Sequence, residues 1–188
     1  MMRNLAVLFP GIGYTVDRPL LHFSRRIAAD LGYETIPLPY TGFPRNVRGD
    51  RQKMVECYHI ALTQARELLS NTDWEAYDDI LFIGKSVGTI VAAVLAAESS
   101  VQSKIRQVIY TPLEDTFSVP IKNAVVFTGS ADPWVGGSDS RIPALCEERR
   151  IPCFLIPGGN HSLESGSWQN DLENLQTILT ETERFIIG

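Results

Sequence analysis

Ser86 lies in the sequence Gly84-Lys85-Ser86-Val87-Gly88, which matches the pattern G-x-S-x-G. A serine in this pattern can act as a nucleophile when a buried strand, a sharp turn and a helix surround it. The neighbouring residues fit that context, because residues 80–83 form an apolar, β-favouring run and residues 89–97 have the small, apolar composition of a buried helix. Side chains at positions 84 and 88 would collide with the neighbouring strand and helix. The pattern therefore predicts an exposed Ser86 hydroxyl at a helix N-terminus, where free N–H groups can hold a developing oxyanion.

Two other interpretations of this stretch are open. The motif could occur by chance, or Gly84-Lys85-Ser86 could be the tail of a phosphate-binding loop of the form G-x-x-x-x-G-K-[ST]. The phosphate-binding loop needs a glycine five positions before Gly84, and Asp79 stands there. It also needs a loop where residues 80–83 are predicted to form a strand. The nucleophile turn is favoured, and Lys85 is predicted to point away from Ser86 with no catalytic role.

A nucleophilic serine needs a base to take its proton. The chain has three histidines, and His22 and His59 both fall inside predicted helices. His161 follows the last predicted strand in the Gly-rich loop Pro157-Gly158-Gly159-Asn160-His161. It is therefore the histidine that is placed to reach Ser86.

The base in turn needs an acid that fixes its tautomer and stabilises its charged form. Asp132 follows the predicted strand at residues 123–128, and Pro133 stiffens its turn. Asp115 follows the preceding strand and is the alternative. Asp139 is less favoured because it lies near a predicted helix start, where Asp is expected as a cap. The three candidates follow one another in the order Ser86, Asp132, His161, each after its own predicted strand.

Apolar runs and helical spacing predict elements that alternate along the chain. The predicted strands are residues 5–9, 33–37, 80–83, 105–111, 123–128 and 152–156. The predicted helices are residues 17–31, 51–69, 89–97, 138–150 and 168–186. This alternation predicts an α/β fold with a mostly parallel sheet of about six strands and helices on both faces. Ligands bind at the carboxyl ends of such strands, so the loops with Gly11, Ser86, Pro112, Asp132 and His161 are expected at one edge.

Composition limits the function classes. The length of 188 residues indicates one domain, and 44% apolar residues are enough for a core. The net charge is −5 and the basic residues are scattered, which argues against nucleic-acid binding. The three cysteines have no C-x-x-C spacing, which argues against zinc and disulfides and favours a cytoplasmic protein. No metal or cofactor is implied. No apolar run reaches the roughly 18 residues of a membrane span.

The chain resembles the α/β-hydrolase superfamily, in particular its small, lidless serine hydrolases. Three segments carry the resemblance: Gly84-Lys85-Ser86-Val87-Gly88, Gly129-Ser130-Ala131-Asp132-Pro133 and Gly159-Asn160-His161-Ser162. The loop Pro10-Gly11-Ile12-Gly13-Tyr14 is similar to the family's loop after its first core strand, although the family often has His-Gly at its start. The resemblance implies the fold and the triad, but no substrate. The family's lid has no room between Thr111 and Asn123, so a single domain over residues 1–188 with an open site is expected.

The resemblance further implies a hydrolase that cleaves a carboxylic ester or thioester of a small molecule through an acyl-enzyme on Ser86. The N–H groups of Val87 and Ile12 are expected to bind the oxyanion. Gly11, Tyr14 and Trp134 are expected to contact the substrate. The alternatives are a peptidase or C–C hydrolase, or a non-catalytic binding protein on the same fold.

Two loop arginines, Arg45 and Arg48, could contact an anionic group such as phosphopantetheine, although a charged loop is usually just solvated. The sequence leaves the oligomeric state open.

Overall fold

The computed structural model describes residues 2–188, and its centre is a sheet of six strands that are all parallel to their neighbours. The strands are β1 (Asn4–Phe9), β2 (Tyr33–Pro37), β3 (Asp79–Lys85), β4 (Ile105–Tyr110), β5 (Ala124–Gly129) and β6 (Cys153–Ile156). Their order in the sheet is β2-β1-β3-β4-β5-β6. The predicted α/β fold with a sheet of about six strands is confirmed.

The direction of strand addition reverses at β1. Leu5 of β1 lies opposite Glu34 of β2 on one side and opposite Ile80 of β3 on the other. The chain therefore leaves β1 in one direction and returns to continue the sheet on the opposite side. Parallel sheets bind ligands in the crevice that such a reversal opens at the carboxyl ends of the strands. In this protein that crevice lies between the ends of β1 and β3.

Five α-helices cover both faces of the sheet. They are α1 (Pro19–Asp30), α2 (Arg51–Leu69), α3 (Val87–Glu98), α4 (Ile142–Arg149) and α5 (Trp168–Ile187). Side chains alternate across each strand, so Leu5 and Val7 pack with α2 and α3, whereas Ala6 and Leu8 pack with α1 and α5. Helix α4 packs beside α3 on the first face. Over residues 2–188, no helix combines the length and the apolar character that crossing a membrane would require.

Three predicted helix starts were wrong: α3 begins at Val87 rather than at residue 89, and the other two lie next to prolines or glycines. The first helix was predicted from residue 17, but α1 begins at Pro19, and its N-cap residue Arg18 makes no side-chain cap. The fourth helix was expected from residue 138, but a 3-10 turn (Gly137–Asp139) comes first and α4 begins at Ile142. Gly136 and Gly137 both have a positive φ, which ordinary helix does not allow.

Candidate active site

Ser86 occupies a sharp turn between β3 and α3. Its φ of 55° and ψ of −125° are unusual for a residue with a side chain, and such strain is held only where the surroundings enforce it. The N–H of Ser86 donates to the carbonyl of Tyr110 on β4 at 3.1 Å, and the carbonyl of Ser86 accepts from the N–H of Thr89 at 2.9 Å. These two backbone bonds hold the turn on the sheet and on the helix at once.

The two glycines of the turn are required by close backbone contacts. A Cβ atom at Gly84 would lie 2.9 Å from the Cα of Thr89 in α3. A Cβ atom at Gly88 would lie 2.1 Å from the carbonyl oxygen of Phe9 and 2.5 Å from that of Pro10. Real Cβ atoms do not approach backbone this closely. The steric reason that the sequence suggested for both glycines is therefore present in the structure.

Ser86, His161 and Asp132 form a continuous chain of contacts. The Nε2 atom of His161 lies 2.8 Å from the Oγ atom of Ser86, and its Nδ1 atom lies 2.7 Å from the Oδ2 atom of Asp132. An ionised carboxylate can only accept, so Nδ1 carries the proton and Nε2 is free to accept from the serine hydroxyl. Asp115 makes no such contact, since it lies exposed on the 3-10 turn Glu114–Ser118.

The acid is held rigidly in its loop after β5. Asp132 is completely buried, and its second carboxylate oxygen accepts the N–H of Trp134 at 2.9 Å. The loops after β5 and β6 also touch directly, because a Cβ at Gly129 would lie 2.1 Å from the carbonyl oxygen of Gly159. This contact fixes the distance between the residue that carries the carboxylate and the residue that carries the imidazole.

Burial lowers the pKa of His161 below its ordinary value, and the nearby Lys85 charge lowers it further. The hydrogen bond to Asp132 and its negative charge act in the opposite direction, but burial is the larger influence. His161 is therefore neutral at neutral pH. A neutral imidazole whose Nε2 atom accepts a hydrogen bond from the serine hydroxyl is in the protonation state that a general base needs.

The loop after β1 lies against the serine turn. The N–H of Gly11 donates to the carbonyl of Tyr14 at 3.1 Å and closes the loop, and a Cβ at Gly11 would lie 3.1 Å from the Cβ of Ser86. Ile12 lines the pocket that contains Ser86. Val87 is the first residue of α3, so its N–H has no acceptor within the helix. The structure thus brings both predicted oxyanion donors to the serine.

A pocket of about 280 Å³ lies over Ser86 and His161. Tyr14 and Trp134, the two aromatic residues predicted to contact substrate, both line it. The Trp134 ring stacks on the imidazole of His161, with 5.2 Å between ring centroids and 27° between their planes. On its far side, Trp134 also borders a larger cleft of about 590 Å³ that Leu113 and Val135 help to line. The serine is therefore reached from a small pocket beside a wider groove.

The prediction that Lys85 points away from the site is wrong. Its side chain lines the same pocket as Ser86, is 1% exposed, and places Nζ 4.8 Å from the centroid of the Tyr14 ring. Burial lowers the pKa of Lys85 to about 7. Side chains alternate along β3, so Lys85 shares the face of Ile83, and the loop after β1 folds over that face. The sequence did not show where that loop would run.

Other residues considered from the sequence lie away from this pocket. Arg45 and Arg48 are exposed in the loop before α2, and neither lines the pocket over Ser86. His22 is on α1 and His59 is on α2, as predicted. Among residues 2–188, no three His, Cys, Asp or Glu side chains come together as ligands for a metal ion would.

Solved structures with the same architecture decide the fold. Est1E from Butyrivibrio proteoclasticus, solved with ferulic acid bound, matches 99% of this chain and 89% of its own at 11% identity, with a TM-score of 0.68. An alpha-beta serine hydrolase homologue from Coxiella burnetii matches 95% of this chain and 84% of its own at 14% identity, with a TM-score of 0.63. The chain has the α/β-hydrolase fold.

An esterase from Pyrococcus furiosus has the same α/β-hydrolase fold, matching 98% of this chain and 81% of its own at 11% identity, with a TM-score of 0.63. No family model matches the chain, and no curated protein is significantly similar to it. At such low identities the likeness establishes the α/β-hydrolase fold alone. What this α/β-hydrolase fold does here has to be argued from its own residues.

Proposed function

We propose that the protein is a serine hydrolase that cleaves a carboxylic ester or thioester through an acyl-enzyme on Ser86. One observation carries the proposal, namely the continuous chain of short contacts from the Ser86 hydroxyl through the His161 imidazole to the Asp132 carboxylate. These three groups come from three separate loops, and each of the three loops is fixed by backbone contacts. Such an arrangement activates a serine that would otherwise be a weak nucleophile.

In the first half of the reaction, the Oγ atom of Ser86 attacks the acyl carbonyl while Nε2 of His161 takes its proton. Buried Asp132 keeps the imidazole in the correct tautomer and stabilises the imidazolium ion. The oxyanion that forms on the carbonyl oxygen accepts from the N–H groups of Val87 and Ile12. When the tetrahedral intermediate collapses, the alcohol or thiol leaves, and His161 returns the proton to it.

In the second half, water hydrolyses the acyl-enzyme. His161 takes a proton from the water as its oxygen attacks the acyl carbon, and the same two N–H groups hold the second oxyanion. Collapse breaks the bond to Oγ, and His161 returns the proton to Ser86. The carboxylic acid then leaves, and the protein is restored to its starting form.

The surroundings of Ser86 support a small ester or thioester as substrate. Tyr14 and Trp134 form aromatic walls of the pocket, and Gly11 lies against Ser86 beside it, so we assign these three residues to substrate contact. The segment between β4 and β5 contains only the 3-10 turn Glu114–Ser118, so we propose one domain over residues 1–188 without a lid.

The three cysteines are free, which supports a location in the reducing cytoplasm. One structural neighbour is an esterase from Pyrococcus furiosus, which agrees with ester cleavage.

The test is the intact mass of the protein after exposure to an uncharged fluorophosphonate. Wild type is expected to gain one adduct, and the variant Ser86→Ala none. Ser118→Ala changes an exposed serine on the 3-10 turn between β4 and β5, so it serves as the matched control and is expected to be labelled like wild type. A folded wild-type protein that takes up no adduct would exclude an activated Ser86 and leave the binding-protein alternative.

A substrate panel then separates the remaining chemistries. Ethyl and thioethyl esters of short acids are compared with a peptide amide and with a β-diketone, which a C–C hydrolase would cleave. Turnover of the esters or thioesters that is lost in Ser86→Ala supports the proposal. Turnover confined to the amide or the diketone would contradict it.

A further inference from the structure

Lys85 is the group in the pocket that the proposed mechanism leaves unused. Its side chain is 1% exposed, yet it lines the pocket together with Ser86 and His161. Its Nζ atom faces the ring of Tyr14 at 4.8 Å, and it makes no hydrogen bond or ion pair within residues 2–188. The side chain is therefore buried along its length, and its amine lines the pocket without an acceptor from residues 2–188.

An amine in such a place is unfavourable for folding alone. Burying a group that can donate three hydrogen bonds costs free energy unless acceptors replace the lost water. Contact with the face of Tyr14 compensates only part of that cost, because cation–π contacts are modest in size. A methionine would fill the same space without the cost. An acceptor on a bound ligand would supply the partner that residues 2–188 do not provide for this amine.

The charges around Lys85 come from three directions. Asp132 lies behind His161 and already accepts its Nδ1 proton. Glu164, exposed in the loop after β6, lines the pocket and attracts the Lys85 charge, and exposed Arg18 lines it from the N-cap of α1. Arg18 and Glu164 are of opposite sign and both reach solvent. The buried amine is therefore the group that decides which charge the inner pocket accepts.

We propose that this pocket is a subsite for a carboxylate that the substrate carries close to its scissile carbonyl, and that Lys85 binds it. The inference rests on the proposed function and specifies its substrate class as small esters or thioesters with an anionic arm. The pocket volume of about 280 Å³ limits that arm to a short chain. Because Lys85 directly precedes Ser86, a carboxylate on its Nζ atom holds the ester next to the nucleophile.

The protonation of Lys85 agrees with this role. Burial lowers its pKa to about 7, so in the free protein the amine is a mixture of neutral and charged forms at neutral pH. A carboxylate placed beside it would favour the ammonium form. The pair that results is a charge-assisted hydrogen bond in a site shielded from water, where such bonds are strong.

The test compares kcat/KM for three esters. Ethyl butyrate is neutral, monoethyl succinate carries a carboxylate on its acyl side, and acetoxyacetate carries it on its alcohol side. The proteins are wild type, Lys85→Met and the matched control Lys122→Met, which changes an exposed lysine just before β5.

Wild type is expected to prefer one of the two charged esters, and that ester shows which side of the substrate contacts Lys85. The charged-to-neutral ratio of kcat/KM is expected to fall at least about 30-fold in Lys85→Met and to stay at the wild-type value in Lys122→Met.

Two results would overturn the inference: no preference for either charged ester in wild type, or the same preference in Lys85→Met. Labelling of wild type by the uncharged fluorophosphonate separates this failure from failure of the proposed function. An adduct without charge preference rejects only the subsite, whereas the absence of an adduct rejects the hydrolase.

If Lys85→Met does not fold, succinate is added to wild type during labelling. Succinate is expected to slow the labelling while ethylene glycol does not, and equal effects would also overturn the inference.

Discussion

At the scale of single residues, His161 experiences opposing influences on its proton affinity. Burial and Lys85 lower its pKa from the ordinary 6.5, and Asp132 raises it, with burial the largest influence. The active form is the neutral imidazole, so activity is lost as the pH falls through the His161 pKa. We expect the acidic limb of kcat/KM for a neutral ester to have its midpoint below 6.5. A pH–rate profile across the acidic range measures it, and a midpoint above 6.5 would contradict the prediction.

Asp132 and Asp115, the two candidates for the acid in the sequence, allow a test variant and a matched control. Asp132→Asn replaces an acceptor of the His161 proton with an amide, which favours the wrong imidazole tautomer and cannot stabilise the imidazolium ion. We expect kcat to fall by about 10⁴. Asp115→Asn changes an exposed carboxylate and is expected to stay within about twofold of wild type. Steady-state kcat values on one ester measure both effects. Similar losses of kcat in the two variants would argue against Asp132 as the acid.

The residue types of the site were predictable, but one orientation was not. Ser86 and His161 were identified because each follows an apolar run in a glycine-rich loop, which is a local signal. Which of Asp132 and Asp115 reaches His161 depends on how the loops after β5 and β6 meet, through Gly129 and Gly159. The position of Lys85 depends on the loop after β1, about 70 residues earlier in the chain. Neither contact leaves a local trace in the sequence.

At the scale of elements, the turn between β3 and α3 depends on its glycines. Gly88→Ala would place a Cβ 2.1 Å from the carbonyl oxygen of Phe9, so α3 would have to move away from β1. We expect a loss of about 4 kcal/mol or more in the free energy of unfolding. Gly166→Ala, at a positive φ but in open space, is the control and is expected to cost about 1 kcal/mol. Urea unfolding of both variants measures the difference, and equal losses would contradict the close-contact argument.

The strands were easier to predict than the starts of helices. Buried parallel strands are short continuous apolar runs, and the run of residues 33–37 matches β2 at both ends. Helix α2 also matches at both ends, since Asp50 caps it by accepting the N–H of Lys53. The start of α4 was wrong because Ser138 and Asp139 are typical of a helix N-cap, whereas Gly136 and Gly137 take positive φ angles and a 3-10 turn forms instead. A helix start depends on φ angles that composition does not determine.

At the scale of the whole molecule, a hydrogen-bond network that joins β3, β4 and α5 lies at the edge of the sheet opposite the pocket. Arg106, at the start of β4, donates to Asp79 and to the carbonyls of Phe185 and Ile186 at the end of α5. The pocket over Ser86 is at the other ends of the strands. Arg106→Leu leaves the two carbonyls without this donor and leaves Asp79 with the hydroxyl of Tyr33 alone, so we expect the free energy of unfolding to fall by about 2 kcal/mol. Below the melting temperature, kcat/KM is expected to equal that of wild type.

Thermal melting and steady-state rates on the same preparations of Arg106→Leu test this separation. A loss of activity in parallel with the loss of stability would show that the two edges are coupled. Arg66→Met, which removes an exposed ion pair to Glu98 at the end of α3, is the control. Its effect on the melting temperature is expected to be small, because exposed ion pairs contribute little.

His161, the proposed base, lies in the loop after β6, the strand at one end of the sheet, and this position has a consequence for how the protein loses activity over time. β6 has four residues, pairs only with β5, and leaves Leu155 half exposed, while Ser86 follows a central strand. Fraying at the rim of a sheet needs far less energy than melting its centre. Excursions of β6 would carry His161 away from Ser86 while the rest of the sheet stays intact. We therefore expect local opening of β6 to set the half-life of activity at high temperature. Substitutions that prolong this half-life belong on β6 rather than in the core.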